Sequence, residues 1–170
     1  MTKLARRLGF ARYQADERYQ AALSACAARD LKAAKIEIDA SIELLPNHAE
    51  YHAARGYFLL EAKDPRPAKE AFERALALNS FEMLANYGQG LLAYRNKDWT
   101  LAAEYFTNAL AAQPERAETQ YYLAMICHRL GRNEDALEWM QSAAGLFLKA
   151  ADRRERHCHA WIREFERLLG

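Results

Sequence analysis

Several polar and aromatic side chains that could do chemistry lie together in "YRNKDWTLAAEYF", residues 94–106. A carboxylate, two cations and two aromatic rings within six residues could transfer protons or recognise a charged partner. An apolar helical stretch follows directly, however, and Asp98 stands where a helix-capping residue is expected. Asp30, Asp64 and Asn133 can cap helices near the same point of other segments. This recurrence favours a structural role for the stretch over a catalytic one.

Histidine and cysteine occur in two arrangements that resemble metal sites. His48 and His52, four residues apart, can share one helix face, but Glu50 between them points away from that face. In "HCH", residues 157–159, neighbouring side chains of a helix diverge and cannot meet on one ion. The seven glycines are scattered and form no phosphate-binding loop. The sequence therefore predicts a protein that is not an enzyme and that has no metal and no cofactor.

The composition indicates an all-α fold. The chain has 170 residues and no valine, whereas alanine, leucine, glutamate, arginine and lysine dominate. The dominant residues lose little side-chain freedom in a helix, and strands favour the β-branched residues that are scarce here. This length suits one domain with a substantial core. Lysine and arginine number 24 against 23 aspartates and glutamates, so no overall electrostatic field attracts nucleic acid.

The cysteines and the N-terminal residues indicate in which cellular compartment the protein is expected. Cys26, Cys127 and Cys158 are odd in number and set among apolar residues, which is typical of reduced cysteines in a core. No apolar run has the length of a membrane span. Residues 1–14 are basic, free of acids and without the apolar stretch of a secretory signal, so we interpret them as a lead-in to the first helix. We therefore expect a cytoplasmic protein that does not bind a membrane.

The chain repeats itself at a step of 34 residues. Three columns of small residues and one column of bulky residues recur in four successive units without an insertion. Small side chains allow two helix backbones to cross closely, and the bulky side chain fills the space beside the crossing. Each unit is therefore predicted to form a helix, a turn and a second helix. The small columns are Ala22, Gly56, Gly90 and Ala124, then Ala34, Ala68, Ala102 and Ala136, then Ser41, Ala75, Ala109 and Ala143, and the bulky column is Ile38, Phe72, Phe106 and Met140.

Residues 15–150 resemble tetratricopeptide repeats, most closely in "AETQYYLAMICHRLGRNEDALEWMQSAA" and "ANYGQGLLAYRNKDWTLAAEYFTNALAAQP". The resemblance implies a right-handed α-solenoid of four helix pairs. The units are expected at residues 15–48, 49–82, 83–116 and 117–150. The chain departs from the family pattern at the position where an aromatic residue usually opens a unit. The residues at that position are Arg18, His52, Asn86 and Gln120.

The last twenty residues lie outside the repeat and have the pattern of an amphipathic helix. In "DRRERHCHAWIREFERLL", apolar residues recur at spacings of three and four along one face, and arginines and glutamates cover the other face. A stack of repeats must cover its last apolar surface. We therefore predict that residues 151–170 form a capping helix. Its apolar face comprises Cys158, Trp161, Ile162, Phe165 and Leu169.

The first helix of each unit carries a second stripe of residues, about 100° round from the small residues. The resemblance implies that these stripes line the concave groove in which tetratricopeptide repeat proteins bind peptides. Tyrosine combines a large contact area with a polar tip, which suits recognition. The predicted binding residues are Tyr19, Leu23, Tyr57, Leu60, Leu84, Tyr87, Leu91, Tyr94, Tyr121, Met125 and His128, with Arg95 and Arg129 as charges at the rim.

These features predict a non-catalytic protein-interaction module that binds an apolar peptide or an amphipathic helix. Family members that bind chaperone tails grip a terminal carboxylate with lysine, asparagine and arginine, but the matching region here has Tyr19, Leu23, Leu84 and Gly88. A small secretion chaperone of the same family is the alternative. An RNA-binding helical-repeat protein fits less well, because such arrays usually have a slightly longer step, and an enzyme with a site inside the superhelix is the third alternative. The sequence leaves open the partner's identity and homodimerisation through the groove or the terminal helices.

Overall fold

A computed structural model describes residues 3–170 of the chain, with side chains from residue 9 onward. Within that range the chain forms nine α-helices and no strand, which confirms the all-α prediction. Met1 and Thr2 of the predicted lead-in 1–14 lie outside the described residues, and the rest of that segment belongs to α1. The helices are α1 (Lys3–Ala27), α2 (Leu31–Leu44), α3 (Ala49–Glu61), α4 (Pro65–Leu78), α5 (Met83–Arg95), α6 (Trp99–Ala112), α7 (Ala117–Arg129), α8 (Asn133–Lys149) and α9 (Glu155–Leu169).

The helices group into two compact units. We call Met1–Gly88 the N-terminal unit and Gln89–Gly170 the C-terminal unit, so the boundary lies within α5. In the N-terminal unit α1 packs against α2, α2 against α3, and α3 against α4. In the C-terminal unit α6 packs against α7, α7 against α8, and α8 against α9. Each unit contains its own cluster of buried apolar side chains.

Gly56 and Gly90 of the first small-residue column, and the nearby Gly88, lie where a bulky ring packs directly on a helix backbone. In the N-terminal unit a Cβ atom on Gly56 would lie 2.6 Å from the ring of Phe72, and a Cβ atom on Gly88 would lie closer still. In the C-terminal unit a Cβ atom on Gly90 would lie 3.0 Å from the ring of Phe106. Both phenylalanines are completely buried. The bulky column therefore fills the space at the glycine backbones, and a methyl group at Gly56 or Gly88 has no room.

The turn inside each helix pair ends the first helix with a residue in the left-handed conformation. Arg29, Lys63, Lys97 and Gly131 have φ values of 65°, 63°, 62° and 76°. In all four turns the N–H of the following residue donates to a carbonyl five residues earlier, at 2.9–3.0 Å. This is the Schellman arrangement, which favours glycine at the left-handed position. Three of the four positions nevertheless carry a long side chain.

Two of the predicted capping side chains do cap a helix. The carboxylate of Asp30 accepts the backbone N–H of Ala33 at 2.9 Å, and that of Asp98 accepts the N–H of Leu101 at 3.2 Å. In both cases the donor is the third residue of the helix, which is one of the amides that lack an intrahelical partner. The aspartate in "YRNKDW" thus starts α6, as the recurrence of the pattern predicts.

The other two predicted caps are wrong, for separate reasons. Asp64 precedes α4 but makes no side-chain cap bond. The third residue of that helix is Pro67, which has no N–H to donate, and Pro65 occupies the first position. Asn133 is itself the first residue of α8, so the N-cap position falls to Arg132, which makes no cap bond either. Asp64 shows that an acidic residue at the 34-residue step is not sufficient for a cap, and Asn133 lies one residue past that step.

Three polar side chains tie the turns between successive helix pairs. His52, Asn86 and Gln120 each place a ring or amide nitrogen 2.8–2.9 Å from the carbonyl oxygen of the residue six positions earlier. Asn86 and Gln120 are buried, so this bond offsets part of the cost of removing their amide N–H groups from water. These are three of the four positions at which the sequence departs from the family pattern. The departure supplies a hydrogen bond that holds the turn.

The C-terminal helix α9 packs its apolar face against α8 and closes the C-terminal unit. Cys158 and Phe165 are completely buried, and Trp161 and Ile162 are partly buried. Leu169, predicted on the same face, is instead 44% exposed because it lies in the last turn of the helix, beyond the packed part of the face. Four of the five predicted apolar-face residues therefore contribute to packing.

Candidate peptide-binding surface

The stripe residues of the N-terminal unit lie on α1, α3 and the first half of α5. We call Tyr19, Leu23, Tyr57, Leu60, Leu84 and Tyr87 the N-terminal stripe. Leu60 and Tyr87 are almost completely buried, whereas Tyr19, Tyr57 and Leu84 are half-buried and Leu23 is exposed. The buried pair packs within the fold. The surface available to a ligand therefore comes from the other four residues.

Tyr19 is held in place by partners on α3. Its hydroxyl donates to Glu50 at 2.9 Å, and its ring centroid lies 5.1 Å from that of Tyr51. Tyr51 is buried, and its hydroxyl donates a hydrogen bond to the carboxylate of Asp16 on α1 at 2.6 Å. Burial, together with the hydrogen bond to Glu50, raises the pKa of Tyr19 above its ordinary value. Tyr19 therefore stays neutral and presents one face of its ring in a fixed orientation.

Four carboxylates, Asp16, Glu50, Glu61 and Glu82, lie on or beside the N-terminal stripe. None of them forms an ion pair with a lysine, arginine or histidine of residues 9–170. Burial raises the pKa of Glu82, and the nearby charge of Glu50 adds to the increase, although the backbone N–H groups at the start of α5 oppose it. The N-terminal stripe is therefore tyrosine-lined and acidic.

The stripe residues of the C-terminal unit lie on the second half of α5 and on α7. We call Leu91, Tyr94, Tyr121, Met125 and His128 the C-terminal stripe. Met125 is almost completely buried, and the other four are half-buried. The ring of Tyr94 lies 5.2 Å from the rings of both Trp99 and Tyr122 in edge-on contacts. These contacts fix its ring.

The capping helix contributes rings to the same side of α7. Trp161 and Phe165 on α9 lie 5.8 Å and 5.2 Å from the ring of His128, whose Nδ1 is also 2.9 Å from Oδ1 of Asn133. Burial raises the pKa of Tyr121, and a hydrogen bond with Trp161 partly offsets the increase. The partly exposed indole of Trp161 therefore extends the C-terminal stripe.

The one acidic residue in line with the C-terminal stripe is neutralised within the unit. Glu118 lies 2.8 Å from Arg154 and 3.9 Å from Arg116. Burial by itself would raise the pKa of Glu118, but hydrogen bonds from the backbone and from Arg154 outweigh it, so the pKa lies below its usual value. Arg154 also binds Asp152 and stacks over the ring of Phe147, at 4.5 Å from the centroid. Glu118 therefore fastens the start of α9 and adds no free negative charge.

Three cations lie at the end of the C-terminal stripe, and we call Arg95, Lys97 and Arg129 the basic edge. Arg95 and Arg129 end α5 and α7, and Lys97 follows α5 in the left-handed turn position. All three are exposed. None of them forms an ion pair with a carboxylate of residues 9–170.

A tetratricopeptide repeat family model matches residues 59–112 and 87–153, which together make up more than half of the chain. This chain belongs to the tetratricopeptide repeat family. The fold is accordingly an all-α tetratricopeptide solenoid, with four helix pairs and a terminal helix in the described residues. Proteins of this fold are in general non-catalytic scaffolds for protein partners.

Known proteins similar to this tetratricopeptide repeat protein share mainly its fold. Cellulose synthase operon protein C of Komagataeibacter xylinus is 34% identical over 73 residues, which are 43% of this chain and 6% of that protein. The structure of PilF from Pseudomonas aeruginosa has a TM-score of 0.70 at 19% identity, covering 90% of this chain and 77% of that one. The first tetratricopeptide domain of Spaghetti (RPAP3), bound to the HSP90 peptide SRMEEVD, has a TM-score of 0.66 at 16% identity. The match covers 71% of this chain and 98% of that domain.

Two further hollows with several polar side chains each lie within a single unit. One of about 520 Å³ lies between α1 and α2 of the N-terminal unit and is lined by Arg18, Glu37 and neighbouring polar residues. Another, of about 260 Å³, lies beside Arg154 in the C-terminal unit. In the part of this tetratricopeptide repeat protein that the structure describes, no three histidine, cysteine or acidic side chains are arranged to hold a metal ion. The same part contains no helix that is both long and apolar enough to cross a bilayer.

Sequence reasoning did not assign Lys97 and Trp161 to the surface. Lys97 could have been found, because it occurs at the 34-residue step with Arg29 and Lys63, next to the predicted rim charge Arg95. Trp161 gave no such signal. The helix α8, which is the second helix of its pair, has 17 residues, whereas α4 and α6 have 14. Because of this extra length α9 does not follow the 34-residue step. The spacing along the sequence therefore could not predict that α9 aligns with the C-terminal stripe.

Proposed function

We propose that this protein is a non-catalytic interaction module that binds an apolar peptide or an amphipathic helix through the stripe residues of its first helices. The observation that carries the proposal is the set of partly exposed tyrosines, Tyr19, Tyr57, Tyr94 and Tyr121, on the first helices of the four helix pairs. Each is half-buried, so part of its ring packs against the fold and the rest is accessible to a partner. Tyrosine is among the residues that contribute most binding energy in protein interfaces.

The fixed orientation of these rings favours binding. Ordering a free side chain costs about 0.5–1.5 kcal/mol on association, and rings already held by neighbours avoid most of that cost. Tyr19 is held by Glu50 and Tyr51, and Tyr94 by Trp99 and Tyr122. For a tyrosine-lined surface of this kind we expect a Kd of about 1 μM, which corresponds to a binding free energy of about −8 kcal/mol.

Similarity to a peptide-bound relative supports a peptide ligand. The RPAP3 domain shares this fold and was solved with the HSP90 peptide SRMEEVD. The residues at the positions where that class of domain grips a terminal carboxylate are Tyr19, Leu23, Leu84 and Gly88 in this chain. These residues present apolar contact and no cation. The proposed ligand therefore binds through apolar side chains within its sequence.

The site of binding can be tested with a photo-crosslinking residue placed at single positions. We expect adducts with one partner from the native host when the crosslinker replaces Tyr57 or Tyr121. The matched control positions are Ile36 and Leu148, which are exposed to 68% and 66% and lie on second helices. Equal adduct yields at the control positions would contradict binding on the stripes.

A double substitution tests the energetic contribution of the same rings. Tyr57→Ala with Tyr121→Ala should weaken capture of that partner by about tenfold or more, because interface tyrosines commonly cost over 1 kcal/mol when truncated. Tyr87→Ala with Tyr121→Ala should abolish capture, with part of the effect arising from lost packing, since Tyr87 is only 7% exposed. The control is Tyr13→Ala, an exposed tyrosine off the stripes. Circular dichroism must show unchanged helicity in each variant.

A further inference from the structure

The basic edge has no ion-pair partner among the described residues, unlike four arginines of the C-terminal unit. Arg116, Arg132, Arg154 and Arg167 are each within 4.0 Å of a carboxylate of the same unit. Arg95, Lys97 and Arg129 are exposed and have no such contact among residues 9–170. Their positive charge is therefore available to an external group.

The basic edge lies directly beside the C-terminal stripe. Arg95 follows Tyr94 in the last turn of α5, and Arg129 follows His128 in the last turn of α7. The 5.2 Å contact between the rings of Tyr94 and Tyr122 places the end of α5 against the first half of α7. Arg129 lies seven residues beyond Tyr122, about 10 Å along α7, so we expect one bound segment to reach both arginines.

Helix packing alone does not account for the charges of Arg95 and Arg129. A cation in the last turn of a helix interacts favourably with the helix dipole, which would be a purely structural reason for an arginine there. The corresponding positions in the N-terminal unit, one and two repeat steps before Arg95, are Glu61 and Ala27. The fold thus accepts an acid or an alanine at this position.

We infer that the C-terminal stripe binds a segment that carries carboxylates beside its apolar side chains. This inference rests on the proposed function, since it names the chemistry of the ligand for the same surface. The apolar side chains would contact Leu91, Tyr94 and Tyr121, and the carboxylates would pair with Arg95 and Arg129. Guanidinium groups suit this role because they bind a carboxylate through two parallel hydrogen bonds. Glu118 does not oppose such a ligand, since Arg154 already neutralises it.

The inference can be tested with a display library of random 16-residue peptides selected on the full chain. Peptides that also bind a Tyr94→Ala, Tyr121→Ala variant are removed, so that the remaining peptides depend on the stripe. We expect these peptides to combine leucine, isoleucine or phenylalanine with an excess of aspartate and glutamate. On an Arg95→Glu, Arg129→Glu variant the selected peptides should instead be rich in lysine and arginine, and individual acidic peptides should bind it at least about tenfold more weakly.

The controls separate this inference from the proposed function. Arg156→Glu with Arg163→Glu makes the same charge change at two exposed arginines of α9, and should leave the selected peptides unchanged. If the double glutamate variant fails to fold, Arg95→Gln with Arg129→Gln should still abolish the preference for acidic peptides. Stripe-dependent peptides without an excess of acids would overturn the inference and leave the proposed function standing. A library that yields no stripe-dependent peptide would overturn both.

Discussion

The N-terminal and C-terminal units share one pattern of packing columns but differ in the charge along their stripes. Phe72 in one unit and Phe106 in the other pack on glycine backbones at the same step of the repeat. Beside the stripes, however, the N-terminal unit has carboxylates such as Glu50 and Glu82 that form no ion pair within residues 9–170, whereas the C-terminal unit has the basic edge. The repeat therefore constrains the residues that pack, and leaves the charge of the surface free to differ between units.

The units also differ in how far the end of the terminal helix is packed into the core. In the C-terminal unit α9 places Cys158 and Phe165 in the core and is linked to Glu118 through Arg154. In the N-terminal unit the first helix α1 has 25 residues, and Phe10 and Tyr13 on it are 63% and 62% exposed. A terminal helix contributes to a core only where a neighbouring helix lies alongside it.

The largest expected effect tests whether α9 is as much a part of its core as the repeat helices are. Phe165→Ala should lower the free energy of unfolding by about 3–5 kcal/mol, the same as Phe72→Ala in the N-terminal unit, because both rings are completely buried. Leu168→Ala, on an exposed residue of α9, should change it by about 0.5 kcal/mol or less. Urea unfolding followed by circular dichroism measures all three. If Phe165→Ala lowers the free energy of unfolding as little as Leu168→Ala does, α9 does not contribute to the core of the unit.

Two substitutions of glycine by alanine should change the stability of the protein in opposite directions. Gly88→Ala should destabilise the N-terminal unit by about 1–3 kcal/mol, because the added methyl group would overlap the buried ring of Phe72. Gly145→Ala in α8 should stabilise the C-terminal unit by about 0.5–1 kcal/mol, because no atom lies within 4 Å of the new methyl group and alanine favours the helix. Thermal unfolding checks both substitutions. Equal effects would show that the close approach at Gly88 is relieved at little cost.

The left-handed turn positions should respond alike in the two units. Lys63→Gly and Lys97→Gly should each stabilise the protein by up to about 1 kcal/mol, since glycine adopts a positive φ without steric cost. Gly131→Ala should have the reverse effect, of about 1 kcal/mol. Chemical unfolding of the three single variants is the measurement. A loss of stability in Lys63→Gly would mean that its side chain contributes more than the strain it imposes.

The smallest expected effects are pH-dependent and have opposite signs in the two units. Burial raises the pKa of Glu82 above its ordinary value of 4.5, so the N-terminal unit gains stability as the pH falls through that raised pKa towards 4.5. Hydrogen bonds from Arg154 lower the pKa of Asp152 to about 2, so the stability it contributes is complete above about pH 4 and is lost as the pH falls through about 2. Amide hydrogen exchange between pH 2 and pH 7 can follow both units. Glu82→Gln should remove the first dependence, and Asp152→Asn the second.

Prediction from the sequence succeeded where a residue's role depends on helical periodicity alone. The 34-residue step predicted the helix pairs, and small residues such as Gly56 proved to lie against a bulky ring, as their spacing indicates. It failed at Asp64, where a proline three residues later lacks the N–H that a cap requires. The candidate binding residues stay a prediction. The structure adds which of them are exposed, because Tyr87 and Met125 have the same helical spacing as Tyr94 and Tyr121 but are nearly buried.

The sequence by itself determined the all-α fold, the pairing of helices and the family, because these follow from composition and from the 34-residue periodicity of the helix pairs. Only the tertiary structure decided which charges are neutralised. Glu118 lies 36 residues before Arg154, and their contact depends on the extra turn of α8 that carries α9 off the repeat step. Spacing along a chain predicts neighbours within a helix, whereas ion pairs between helices depend on how those helices pack.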